Sequence, residues 1–128
     1  MSINAFAALG VPASLADLLA KAGIDTPTPI QAATLPDSLA GRDLLGRGRT
    51  GSGKTLAFAL PVLARLTQSA TSTRQPKRPR ALILAPTREL AAQINAVLVP
   101  LANAVGLRTT TVFGGVAAGP QISALKRG

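Results

Sequence analysis

At 128 residues the chain is long enough for one modest domain with a real core. Fourteen Lys and Arg against five Asp and Glu give a formal charge of +9, which favours a polyanionic partner such as nucleic acid over a merely solvated basic surface only if site residues support it. The absence of Cys and His excludes disulfides, thiolate metal sites and the commonest general base. No apolar run approaches ~18 residues and the start lacks a secretory signal, so a cytoplasmic chain with no membrane partner is expected.

In chain order, Phe6 and Leu9 precede Gly10-Val11-Pro12. Ser14 followed by Asp17 resembles a capping box with Asp in place of Glu. Leu15, Leu18, Leu19 and Ala22 share one helical face, and Gly23 is placed to stop that helix. Thr28 is a candidate cap with Pro29 at the first helical position, which puts Gln31 in the first turn of a helix expected to end near Leu35-Pro36. A carboxamide carries a donor and an acceptor, so Gln31 can pair with the N6 and N7 edge of adenine; a solvated helix residue is the bland alternative.

Leu44-Leu45 is a short apolar lead-in to Gly48-Arg49-Thr50-Gly51-Ser52-Gly53-Lys54-Thr55. This octapeptide fits the phosphate-loop pattern G-x-x-x-x-G-K-[ST] at every defined position. The glycines let backbone N–H groups turn toward phosphate oxygens, and the helix that follows adds its N-terminal dipole. Lys54 reaches the outer phosphates as a point charge, and the Thr55 hydroxyl is a candidate Mg²⁺ ligand. Leu56 to Leu60, Leu63 and Leu66 keep helical spacing, with Pro61 expected to bend the helix.

Gln68 to Pro79 is polar, basic and proline-containing, hence an exposed loop. Arg74, Lys77, Arg78 and Arg80 there either touch RNA phosphates or simply keep the surface solvated. Ala81 to Ala85 is all apolar, as a strand covered on both faces would be. Pro86-Thr87-Arg88-Glu89-Leu90-Ala91 turns into a helix capped by Thr87, and Pro100 is expected to kink it or end it at Val99. Arg108 to Phe113 is rich in β-branched residues and reads as a strand that Gly114-Gly115 closes in a tight turn. A last helix begins near Gln121. The alternation predicts an α/β fold with a parallel sheet, a P-loop domain over 37–128 preceded by a helical region over 1–36.

Together these segments resemble the amino-terminal part of a DEAD-box ATP-dependent RNA helicase of the bacterial RhlE type. Gly23 to Gln31 resembles the family's adenine-reading Q motif, with Phe6 as its isolated upstream aromatic; Gly48 to Thr55 resembles motif I, Pro86 to Ala91 motif Ia, and Gly114-Gly115 the glycine doublet. The resemblance implies a RecA-like domain, incomplete here, that takes ATP and Mg²⁺. Phe6, Ile24 and Gln31 would face the base, and Gly48, Arg49, Thr50, Gly51, Ser52, Gly53, Lys54 and Thr55 the phosphates and Mg²⁺, Lys54 and Thr55 being the catalytic pair. Pro86, Thr87, Arg88, Gly114 and Gly115 would hold RNA phosphates and sugars without reading sequence. Two positions depart from the family: Ile24 stands where an aromatic is usual, and Gly48 where Ala is usual. The family's Asp-Glu-Ala-Asp and Ser-Ala-Thr motifs and its second RecA-like domain are not among these residues, so the chain is expected to be a fragment that binds ATP or RNA at best and turns nothing over. A nucleotide kinase, a GTPase, a non-catalytic RNA-binding module and a piece too incomplete to fold are the alternatives.

Overall fold

The computed structural model describes residues 4–68 and 75–128. The chain divides into two compact units, Met1–Gln68 and Ser69–Gly128. The first carries α1 (Ala5–Ala8), α2 (Ala13–Lys21), α3 (Pro29–Leu39) and α4 (Lys54–Gln68); the second carries α5 (Arg88–Ala104) and α6 (Ala118–Lys126).

In the first unit, Asn4 starts α1 by accepting from the Phe6 N–H at 2.9 Å, and its amide donates to the Ala16 carbonyl at 3.0 Å, which ties α1 to α2. Phe6, Val11, Leu15, Ala16 and Leu19 form the buried apolar face of this pair. The second pair, α3 against α4, buries Thr34 and Leu35 from one helix and Ala57, Ala59, Leu60, Leu63 and Ala64 from the other. In the second unit α5 buries Ile94, Leu98, Leu101 and Ala102 at helical spacing.

The helix stop at Gly23 was legible. At the end of α2, Gly23 (φ +78°) sends its N–H to Ala20 and lets the Ile24 N–H reach the Leu19 carbonyl at 2.8 Å, the paired bonds of a Schellman motif. The same pairing recurs after α1, α3 and α5. Thr87 caps α5 as expected, accepting from the Leu90 N–H at 3.1 Å.

Two helix expectations are corrected. Ser14 caps nothing: α2 begins at Ala13 after Pro12, whose φ of −54° already suits a helix start. Pro36 does not end its helix, since α3 continues to Leu39, and of the two outcomes expected at Pro100, a kink or an end at Val99, the end does not occur, since α5 continues to Ala104. Each proline removes one ladder bond, but buried neighbours hold the helix through it: Leu35 beside Pro36, and Leu101 and Ala102 after Pro100.

The strands are the larger difference. Among the described residues no strand is assigned, and within the second unit no backbone hydrogen bond joins segment 81–85 to 108–113. A strand exists only by a neighbour's ladder, and propensity alone cannot supply one. Accordingly Leu45, Leu82 and Leu84 are 97%, 82% and 83% exposed, although 81–85 reads as a strand buried on both faces. Of the basic loop, residues 69–74, Arg74 included, lie outside the described residues. Its end is a turn in which the Arg78 N–H bonds to Gln75 and Lys77 takes φ +61°, with the Lys77 N–H held by the Leu125 carbonyl at 3.1 Å.

Phe6 is 0% exposed, so it acts here as a core residue and presents no face to a ligand. Phe6→Ala is expected to lower stability by about 3–5 kcal/mol in urea unfolding followed by circular dichroism. Unchanged stability with weakened nucleotide binding would instead make the ring a ligand platform.

Candidate nucleotide and RNA sites

The phosphate-loop segment turns at Arg49–Ser52, where the Ser52 N–H bonds to the Arg49 carbonyl at 3.1 Å, and α4 starts at Lys54. Gly51 and Gly53 take φ of +79° and +87°, in the region that favours glycine. Lys54 Nζ donates to the Gly48 carbonyl across the mouth of the loop. The first N–H groups of α4 have no helical acceptor and point out of its N-terminus, beside the half-buried Thr55. Free N–H donors and the dipole at this helix start suit an anion, with the Lys54 ammonium held on the same loop.

Gln31 sits against this loop. Its Oε1 accepts from the Thr28 N–H at 2.9 Å, closing half of a capping box at the start of α3, and its Nε2 donates to the Gly53 carbonyl at 3.0 Å. The Gly53 carbonyl also accepts from Ala57 in the first turn of α4. Gln31 is only 2% exposed. In the other half of the capping box the Thr28 side chain faces the Gln31 N–H, at a geometry too loose for a hydrogen bond, so Thr28 Oγ1 is buried without a full partner, as is Ser52 Oγ. Two orphaned hydroxyls beside a phosphate-loop turn are what a polar ligand would satisfy. Thr28, read from the sequence only as a helix cap, thus places its hydroxyl beside the loop.

Both departures now have local readings. A methyl on Gly48 would come within 2.6 Å of Ser52 Oγ and 3.3 Å of Lys54 Cγ, so the missing Cβ is space that Ser52 uses. Ile24 is 36% exposed in the connection to α3 and offers an aliphatic surface only. The structure thus brings together Gln31, Thr28, Gly48, Ser52, Gly53 and Lys54, and it places Phe6 in the core. Among the described residues no three His, Cys, Asp or Glu side chains cluster as a metal site. Thr55 fits Mg²⁺ only in the manner of an ion held chiefly by water and phosphate oxygens.

In the second unit, Thr87 is exposed and accepts a hydrogen bond from Leu90, with its own O–H left to donate. Pro86 beside it is exposed too, and the exposed Arg88 guanidinium lies over the Phe113 ring, 5.5 Å from its centroid. Gly115 takes φ +75°, and a Cβ there would stand 3.8 Å from Arg88 Nη1; Gly114 has open space. Motif Ia and the glycine doublet therefore meet on one exposed face. Phe113 was legible only as a strand residue, and nothing in the sequence tied it to Arg88.

A DEAD/DEAH box helicase family model matches residues 28–128, and the chain belongs to that family. It is 46% identical over 115 residues to an ATP-dependent RNA helicase RhlB of Sodalis glossinidius, covering 89% of this chain and 28% of that protein. It is 44% identical over 128 residues to the RhlB of Haemophilus influenzae, covering 100% of this chain and 31% of that one. A chloroplastic DEAD-box ATP-dependent RNA helicase 3A of Zea mays is 46% identical over 126 residues, covering 97% of this chain and 17% of its own length. The crystal structure of the RNA helicase Prp28 from Chaetomium thermophilum bound to ADP matches with a TM-score of 0.79 and 42% identity, over 92% of this chain and 28% of that one. The chain thus spans less than a third of each of these relatives.

Gly53 and Gly51 separate backbone strain from contact. Gly51→Ala meets no atom within 4 Å and carries only the left-handed backbone, about 1–2 kcal/mol. Gly53→Ala carries the same strain and also drives a methyl to 2.5 Å from Gln31 Nε2 and 2.8 Å from Thr28 Oγ1. Urea unfolding is expected to show the larger loss for Gly53→Ala; equal losses would mean that Gln31 does not rest on the loop.

Proposed function

We propose that the chain is the nucleotide- and RNA-binding portion of an ATP-dependent RNA helicase. The observation that carries this is the buried bond from Gln31 to Gly53, because it joins a base-reading side chain to a phosphate loop. Beyond its two backbone bonds the Gln31 amide keeps one N–H and one oxygen lone pair, the pair that adenine N7 and N6 require. Residues Gly48 to Thr55 hold the phosphates through backbone amides and Lys54. Thr28 and Ser52 supply hydroxyls, and Ile24 lies along the base. Mg²⁺, when bound, neutralises phosphate charge, and Thr55 is its protein ligand.

Pro86, Thr87, Arg88, Gly114 and Gly115 contact RNA phosphates and sugars, in keeping with the basic charge and with relatives named as RNA helicases. Hydrolysis and duplex unwinding belong to the parent protein. There the parallel sheet closes over segments 44–45, 81–85 and 108–113, a reading supported by the exposed Leu45, Leu82 and Leu84. The two-part division into 1–36 and 37–128, the cytoplasmic location and the bacterial RhlE subtype are part of the proposal. The subtype rests on motif resemblance alone, since the relatives above include RhlB and plant proteins.

Calorimetric titration tests the base-reading claim. ATP is expected to bind more tightly than GTP by about 1–3 kcal/mol, and Gln31→Ala is expected to erase that preference. Equal affinity for the two nucleotides in the unaltered chain would favour a P-loop enzyme of another kind.

A further inference from the structure

In the second unit the Gln121 side chain bonds both backbone groups of another residue, Phe113. Its Oε1 accepts from the Phe113 N–H at 3.0 Å, and its Nε2 donates to the Phe113 carbonyl at 3.2 Å. The same Nε2 also donates to the Ala117 carbonyl at 3.3 Å. A carboxamide thus does for Phe113 what a neighbouring strand would do, pairing its donor and its acceptor together. The two anchored residues flank Gly114-Gly115-Val116. A glycine doublet has wide backbone freedom, so a turn built from it is fixed only if its two ends are fixed. Gln121 fixes both. Phe113 in turn lies under the Arg88 guanidinium, and Gly115 approaches Arg88 Nη1.

We infer that Gln121 is a positioning residue for the RNA face: it pins Phe113 and the glycine doublet, so that Arg88 is held in one place to meet a phosphate. Gln121 itself touches no RNA. The inference rests on the reading of Arg88 and Gly114-Gly115 as RNA contacts.

The test uses the whole chain, a short fluorescein-labelled oligouridylate and anisotropy titrations across a range of salt. Gln121→Met keeps length and helix propensity while removing all three bonds. It is expected to weaken binding several-fold and to lower the slope of log affinity against log salt by about 0.7, the share of one phosphate contact on a single strand. In an Arg88→Ala background the same change is expected to have little further effect. An unaltered affinity and slope would overturn the inference. So would an equal loss with and without Arg88 at unchanged slope, which marks a merely structural role. A second measurement stands apart from RNA. In NMR spectra the Arg88 δ-methylene protons are expected upfield from the Phe113 ring current, and Gln121→Met should move them to their position in Phe113→Ala. No movement overturns the positioning claim. If Arg88→Ala leaves RNA binding untouched while the protons do move, the RNA reading fails and the positioning of Arg88 stands.

Discussion

One amide organises the first unit. Gln31 reaches from the first turn of α3 to the Gly53 carbonyl, 22 residues away, while its oxygen holds the Thr28 N–H. The contact is possible only because Gly53 has no side chain and takes a positive φ. A buried amide left without partners would cost about 1–3 kcal/mol, so loop and helix constrain each other. Whatever alters the phosphate loop at Gly53 must therefore be felt at Gln31 and at the start of α3.

The second unit solves a related problem with different means. Its candidate contact residues lie on an exposed face and are held from behind. Thr87 caps α5, which fixes where Arg88 leaves the helix, and Phe113 lies beneath the guanidinium. An exposed cation over a ring gains about 0.5–1 kcal/mol, enough to bias a long side chain without immobilising it. Phosphate binding without base reading needs no more than such a bias.

Much of this was legible in the sequence because it is local. The Thr87 cap and the Gly23 stop depend on residues within one or two turns of each other, and the structure keeps both. Ser14 and Pro36 were misleading for the same reason: local signals there yield to a better helix start at Pro12 and to a buried neighbour, Leu35. What was not legible is what depends on distant partners. The Gln31–Gly53 bond, the orphaned Thr28 hydroxyl and the stacking of Arg88 on Phe113 have no spacing rule. Ala81 to Ala85 has a strand's composition, yet composition cannot create the ladder that defines a strand. Phe6 showed the converse, since an isolated aromatic reads equally as a ligand face or a core residue, and its burial makes it the latter.

The central claim is that one turn of backbone amides, ending in Lys54 and Thr55, holds the triphosphate of an adenine nucleotide whose base lies at Gln31. A crystal structure of the protein with a non-hydrolysable ATP analogue and Mg²⁺ tests it most directly. The account predicts phosphate oxygens within hydrogen-bond distance of the Gly51 to Thr55 amides and the adenine edge on the Gln31 carboxamide. Electron density for the nucleotide elsewhere, or an adenine that leaves Gln31 untouched, would contradict it.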